Sequence, residues 1–320
     1  MEYALIVILL TVIELGYLIL AGKLGVVAAP DKRASHSEPI VTGGGLIFLI
    51  ALWLFWIFYG RAYLWFMLGL TLVSIVSFAD DVRGVGIGWR ILAQAAAVAL
   101  MFVNIGAYAL WPWWLVITAG IAFVGGLNAF NFMDGINGIT CTYAASVLLP
   151  LLMLDAVYRF ISPMYLFIAL LSVVVFGVFN FRSRALCFAG DAGSVSVGFI
   201  VLFALMLLIM RTGDFAYLTL VAVYGVDAAL TIIHRAILHE NILTPHRKHL
   251  YQIMANELGI KHTNIALIYA GLQLAVTTGL MCLTRGRYWY MAAVIVVLSV
   301  IYYLFMQRYY QLHESGYRAD

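Results

Sequence analysis

Long apolar runs, separated by short polar stretches, organise this chain from end to end. A helix that crosses a bilayer needs about 20 consecutive, mostly apolar residues. Runs of that kind fall at approximately 3–22, 43–60, 62–79, 90–107, 113–131, 139–156, 163–180, 193–211, 214–233, 265–283 and 288–308. They predict an all-α, polytopic membrane helical bundle of about eleven transmembrane helices. The hairpin Tyr59-Gly60-Arg61 separates the second run from the third. An odd number of crossings places the two termini on opposite sides. No internal repeat or low-complexity tract divides the chain. Residues 1–320 are therefore expected to form a single integral-membrane domain, with a polar cytoplasmic insert at about 234–264. Met1 to Leu20 lacks a basic leading region and a small-residue cleavage site, so it is expected to be a retained first span.

Composition agrees. Hydrophobic residues make up 65% of the chain and charged residues 10%, against about 25% charged in a soluble domain. The net charge of +3 is small and gives no sign of a nucleic-acid partner. Cys141, Cys187 and Cys282 have no paired spacing, which argues against a disulfide framework or a thiolate metal site. The basic residues are distributed unevenly. Of the 18 Lys and Arg residues, Arg61, Arg159, Arg211, Arg285 and Arg287 lie in one set of alternate loops, and the rest lie in the other set with the C-terminus. The richer set is expected to be cytoplasmic, with the N-terminus outside and the C-terminus inside. The Trp-Pro-Trp-Trp run at 111–114, on the other side, reads as an interfacial aromatic belt.

The polar motifs share the basic side. They are Asp31-Lys32-Arg33-Ala-Ser-His36, Asp80-Asp81-Val-Arg83, the stretch from Asn128 to Gly138, Phe188-Ala-Gly190-Asp191-Ala-Gly193-Ser194 with Asn180 ahead of it, and His246-Arg247-Lys248-His249 followed by Gln252. Asn128-Ala-Phe-Asn131-Phe-Met-Asp134-Gly135-Ile-Asn137-Gly138 is the densest. A helix cap needs one Asn or Asp, and this stretch has four, so a polar site is the better reading. Asp80 and Asp81 repel each other, and a divalent cation or a shared proton would relieve them. With Asp134 and Asp191 on the same face the weight moves to Mg2+, which takes oxygen ligands, one or two carboxylates and substrate phosphates. The turn at Phe188–Ser194 opens a helix whose N-terminus suits an anion, and Phe188 could stack on a base. Arg182, Arg184, Arg247 and Lys248 suit phosphate oxygens, or are ordinary positive-inside charge. Asp227, inside a span, is expected to face the bundle and pair with a cation such as Arg235, eight residues on. Glu14 and Asp155 have no assigned role. Together these residues describe phosphoryl transfer between a soluble nucleotide-bearing donor and a lipid acceptor.

In order and spacing, the Asp80-Asp81 pair, Asn128-x-x-Asn131-x-x-Asp134-Gly135-x-x-Gly138, Asn180 with Phe188-x-Gly190-Asp191-x-Gly193-Ser194, and His246-Arg247-x-His249 resemble the polyprenyl-phosphate N-acetylhexosamine-1-phosphate transferases, glycosyltransferase family 4. The resemblance covers residues from about 31 to 252. The segment Thr244-Pro245-His246-Arg247-Lys248-His249-Leu250-Tyr251-Gln252 looks like the branch that starts O-antigen and related surface polysaccharides, not the phospho-MurNAc-pentapeptide translocases, whose ten spans also differ from the eleven counted here. The resemblance implies transfer of N-acetylhexosamine 1-phosphate from a UDP-N-acetylamino sugar to undecaprenyl phosphate, with release of UMP. Mg2+, or Mn2+ in its place, is the implied cofactor. The implied location is the bacterial inner membrane, with the site on the cytoplasmic face, and a homodimer is a further option. Carried over by position, Asp191 would be the metal ligand. Asp80 or Asp81 would deprotonate or orient the lipid phosphate, with Asp81 near the metal. Asn128, Asn131, Asp134 and Gly135 would line the nucleotide side, with Phe188 near the uracil. His246, Arg247 and His249 would hold the diphosphate, Asn180 would support the metal site, and His36 matches a family position after the first span. The Pro-x-Pro form of some relatives is replaced here by Pro39-Ile-Val-Thr-Gly43-Gly44. Two rivals are a CDP-alcohol phosphotransferase, which would release CMP and wants more spaced aspartates on one segment, and a transporter or flippase, which would place polar residues at mid-membrane.

Overall fold

The computed structural model describes residues 2–28, 39–241, 244 and 246–314. Its helices are α1 (Glu2–Leu24), α2 (Leu46–Phe58), α3 (Leu64–Arg83), α4 (Ile87–Asn104), the short α5 (Ala107–Leu110), α6 (Trp113–Phe132), α7 (Ile139–Tyr158), α8 (Pro163–Asn180), α9 (Gly190–Thr212), α10 (Ala222–Ile237), α11 (Leu250–Asn256), α12 (His262–Met281) and α13 (Arg287–Glu314). Two residue pairs, β1 (Val27–Ala28) and β2 (Ile40–Val41), form a small antiparallel ribbon. Among the described residues, ten helical spans are long and apolar enough to cross a membrane. Each coincides with one of the runs read from the sequence, to within a few residues.

The eleventh run behaves differently. Helix α2 has only 13 residues, about 20 Å of rise, which is short of the ~30 Å apolar thickness of a bilayer. The run begins with Gly43, Gly44 and Gly45, and these residues do not join the helix. Instead Gly44 N–H donates to the Phe188 carbonyl (3.0 Å) and Gly45 N–H to the Ala189 carbonyl (3.2 Å). Gly45 and Gly193 meet backbone to backbone, and a side chain on either would collide with the other. The glycines spend their backbone on a neighbouring segment, so the helix starts late.

Helix α9 is the centre of the bundle. In its most apolar stretch 89% of the residues are buried, against 17% for α1 and for α6. Small residues make this crowding feasible. Gly198 faces the Phe130 ring, and the hydroxyls of Ser74 on α3 and Ser196 on α9 lie 2.7 Å apart.

Polar groups inside the spans are satisfied by other spans, as an apolar surround requires. The ninth run is broken. A 3-10 turn at Phe215–Val221 precedes α10, and the Val223 N–H donates to Gln273 Oε1 of α12 (3.1 Å). That same oxygen accepts from the Tyr143 hydroxyl of α7 (2.8 Å), while Gln273 Nε2 donates to the Thr219 carbonyl (3.0 Å). Asp227 faces the bundle as expected, but its cation is not Arg235. It accepts from the Tyr269 hydroxyl (2.6 Å), Leu250 N–H (3.2 Å) and Thr231 hydroxyl (3.2 Å), and lies 3.3 Å from His249 Nδ1. Arg235 pairs instead with Glu240 at 3.0 Å. A two-turn spacing put Asp227 and Arg235 on one face, but contacts arriving from α11 and α12 took the carboxylate. Asp155 accepts the Phe160 and Ile161 N–H groups, each at 2.9 Å, and so closes the turn after α7. Glu14 is buried 3.5 Å from the Cys187 thiol.

Replacing Gln273 with Leu would leave the Tyr143 hydroxyl and the Val223 amide buried without their acceptor. The expected cost is about 1–3 kcal/mol, read as a lower Tm of the detergent-solubilised protein. Gln273→Glu, which keeps an acceptor, should lose less.

Candidate functional site

Three helix ends meet at one level of the bundle. Helices α3 and α6 finish there, and α9 begins there. Between them lies a cavity of about 290 Å3, walled in part by Asp81, Asp134 and Asp191. These carboxylates are far apart in sequence, and the fold brings all three to one space.

Asp81 lies in the last turn of α3. Its Oδ1 accepts the Asp191 N–H (2.9 Å) and its Oδ2 accepts the Ala192 N–H (3.1 Å). Asp80 next to it turns away from the cavity. It accepts the Val85 N–H (2.5 Å) and pairs with Arg90 Nη1 (2.7 Å). The other arm of the Arg90 guanidinium reaches Asp191 Oδ2 (2.9 Å) and Asn131 Oδ1 (3.4 Å). One cation from α4 therefore ties α3, α6 and α9 together. The motif reading overlooked Arg90, which counted there only as positive-inside charge, because nothing in the residues around it marks a partner.

Asn131 lines the cavity and donates to the Ser194 hydroxyl (3.1 Å). Asn128, one turn earlier, points elsewhere, to Gln94 Oε1 (2.8 Å) on α4. Asp134 sits in the turn between α6 and α7, hydrogen bonded by the Thr140 hydroxyl. Loss of solvent in the cavity wall pushes its carboxyl up to about 7; the Thr140 bond opposes this and the Asp191 charge adds to it. Gly135 follows, and a side chain there would strike the Tyr251 hydroxyl. Asn180 ends α8 with its Oδ1 accepting the Gly138 N–H (2.7 Å) and its Nδ2 donating to the Cys187 carbonyl (2.8 Å). It pins the α6–α7 turn to the segment ahead of α9 and also lines the cavity. Phe188 presents an aromatic wall to the same space, held through its N–H to the Val41 carbonyl (2.8 Å).

The 246–249 segment packs at the edge. The His246 ring lies 5.0 Å from that of His249 and 6.4 Å from that of Phe132. Burial, with the charges of His249 and Arg235 next, pushes His246 down to about 3. His249 is buried against Asp227 and does not line the cavity; Arg247 does not line it either. No residue of 246–249 lines the wall; Gln252, just after them, does. His36 lies outside the described residues. Thr42, Ile136, Asn137, Gly190 and His262 complete the wall among the described residues. Asn137 and Gln252 belong to polar stretches singled out in the sequence, whereas His262 is an isolated residue at the start of a span and carries no such signal.

The polar groups facing the cavity are mainly oxygen ligands: three carboxylates, four side-chain amides and a threonine, with one histidine. That chemistry suits a hard cation such as Mg2+, which needs few protein ligands. Among the described residues no group of three His, Cys, Asp or Glu is close enough to chelate a metal without help. Both oxygens of Asp81 already accept amides, whereas one oxygen of Asp191 is held by Arg90 and one of Asp134 by Thr140.

Comparison with known proteins adds a family. The model of glycosyl transferase family 4 matches residues 63–210, from the start of α3 into the last turn of α9. The chain is 25% identical over 248 residues to the undecaprenyl-phosphate alpha-N-acetylglucosaminyl 1-phosphate transferase of Thermotoga maritima, covering 75% of this chain and 76% of that one. It is 32% identical over 133 residues to the phospho-N-acetylmuramoyl-pentapeptide-transferase of Deinococcus radiodurans, covering 41% of this chain and 37% of that one.

Asp134 supplies a pH test. Its carboxyl is raised in the folded protein from 3.8 to about 7, so the folded state holds the proton more tightly than the unfolded chain. That contribution is complete below about pH 4 and is lost as pH rises through 7. In metal-free buffer, Tm should therefore fall more between pH 5 and pH 8 for the native protein than for Asp134→Asn, by several degrees. Parallel curves would contradict the buried-carboxyl assignment.

Proposed function

The chain belongs to glycosyl transferase family 4, the polyprenyl-phosphate N-acetylhexosamine-1-phosphate transferases, and from that premise we propose that it moves N-acetylhexosamine 1-phosphate from a UDP-sugar to undecaprenyl phosphate, with Mg2+, releasing UMP. The coarser activity, sugar-phosphate transfer to a polyprenyl phosphate, follows from the family. The observation that carries the rest is the convergence of Asp81, Asp134 and Asp191 on one cavity at the ends of α3, α6 and α9.

In this reading the oxyanion of the lipid phosphate attacks the β-phosphorus of the UDP-sugar. A new P–O bond forms, the bond from that phosphorus to the bridging oxygen breaks, and UMP leaves with the electron pair. The nucleophile is already charged, so alignment and charge neutralisation matter more than a covalent relay through an aspartate. Asp191, with Asp134 on the same cavity, would hold Mg2+. When bound, Mg2+ would offset the charge on the diphosphate oxygens. Arg90 sets a cation beside Asp191 and would trade carboxylate for phosphate oxygens as substrate enters. Phe188 offers a face for the uracil, and Asn131 and Gly135 line the way in. His246, whose ring lies 6.4 Å from that of Phe132 at the end of α6, and Arg247 would receive the diphosphate, and Asn180 keeps the two loops together. His249 supports this segment from behind, through Asp227.

A nucleotide donor is a cytoplasmic solute. The excess of Lys and Arg on the loops that carry these motifs fits a cytoplasmic-facing site in the plasma membrane. An N-acetylglucosamine 1-phosphate donor is favoured over a phospho-N-acetylmuramoyl-pentapeptide donor, because the N-acetylglucosaminyl relative is matched over 76% of its length and the pentapeptide relative over 37%; the span count does not separate the two, since ten helices among the described residues are long enough to cross.

The test is a release assay. Purified protein, undecaprenyl phosphate and Mg2+ are offered a panel of UDP-N-acetylamino sugars, and UMP is measured. Release is expected with at least one member and only with Mg2+ or Mn2+ present. Asp191→Asn should fold and lose at least about 10²-fold in turnover. No UMP from any donor, or near-native turnover by that variant, would reject the reading.

A further inference from the structure

Helix α9 begins without a cap of its own. Its N-cap residue is Ala189, which has no side chain to accept a hydrogen bond. The first amides of a helix have no intrahelical acceptor, and these are part-buried at the end of a helix packed inside the bundle, where an unpaired amide is costly. The missing acceptor comes from 110 residues away. Asp81, at the end of α3, turns both carboxylate oxygens to the Asp191 and Ala192 amides. A negative charge at a helix N-terminus is also favoured by the helix dipole. Gly190 is the companion of this arrangement. Its φ is +69°, and a Cβ there would stand 2.5 Å from Asp81 Oδ2 and 2.8 Å from Thr42 Oγ1. Only glycine lets the turn close around the carboxylate.

We propose that Asp81 is a positioning residue: its carboxylate caps α9 across the bundle and thereby fixes the backbone of Asp191, rather than serving as a base or as the principal metal ligand. Asp191 is then held twice, through its amide by Asp81 and through its side chain by Arg90. Asp80 does not cap the helix: it accepts the Val85 amide, pairs with Arg90 and lies against the Asp191 side chain. The consequence for turnover rests on the transferase reading above, but the capping itself does not.

Amide exchange followed by mass spectrometry separates the two. In Asp81→Asn, one oxygen is replaced by an amide NH2 that faces a backbone N–H. Exchange in the peptide spanning 188–194 should quicken at least about 10-fold, with the interior of α9 still protected. Unchanged exchange there would overturn the proposal, whether or not the protein transfers sugar. If the native protein releases UMP, Asp81→Asn should raise the Mg2+ concentration needed for half-maximal rate as well as lower kcat, because Asp191 is displaced. A base would lose kcat with that concentration unmoved, and this outcome also overturns the proposal. Gly190→Ala, which disturbs the same contact without touching the carboxylate, should copy both effects. Its penalty should shrink in the Asp81→Ala background, where the colliding oxygen is gone. Strictly additive losses would count against the shared contact.

Discussion

A helix that starts inside a membrane bundle must find acceptors for its first amides, and α9 finds them on Asp81. Much of the site follows from that one constraint. The most buried helix of the molecule is tied to the end of α3, so Asp81 and Asp191 must share a space. The Gly43–Gly45 stretch lies against the turn from Phe188 to Gly193, so the segment carrying Phe188 becomes a wall of the same cavity. Arg90 then spans Asp80, Asp191 and Asn131, keeping several acidic groups tolerable at close quarters.

The polar residues of this chain fall into two kinds, and the structure separates them by who satisfies them. Gln273, Asp227 and Asp155 have their oxygens taken up by the protein itself. They join spans or close turns. Asp134, Asp191 and Asn131 face the cavity and keep part of their bonding capacity for a ligand. His249 is divided between the two: its Nδ1 lies against Asp227, while its Nε2 is buried with no partner among the described residues. A cluster of two histidines and two cations reads as phosphate-binding in sequence, yet burial places one of its histidines behind the site against Asp227.

The family match, at residues 63–210, contains the three cavity aspartates and stops short of the 246–252 segment. The site nevertheless needs that segment, since Gln252 and Tyr251 close over Gly135. The matched region carries the charged machinery. The segment outside it shapes the side of the cavity where Gly135 and His262 sit.

What the chain determined by itself is the list of spans and the set of acidic and amide residues held at one face. Both follow from local quantities: the length of an apolar run against the thickness of a bilayer, and the cost of leaving charge in lipid. The shortness of α2 was not legible, because glycines that extend a run by composition left the helix to touch Gly193. Nor were the partners of Asp81, Asp227 and Arg90. Each is a choice among acceptors or cations that sequence places at similar distances from anything, and only packing selects one. Which carboxylate faces the cavity and which serves a helix end is decided by where α3 and α9 stop relative to each other, a quantity that exists only in three dimensions.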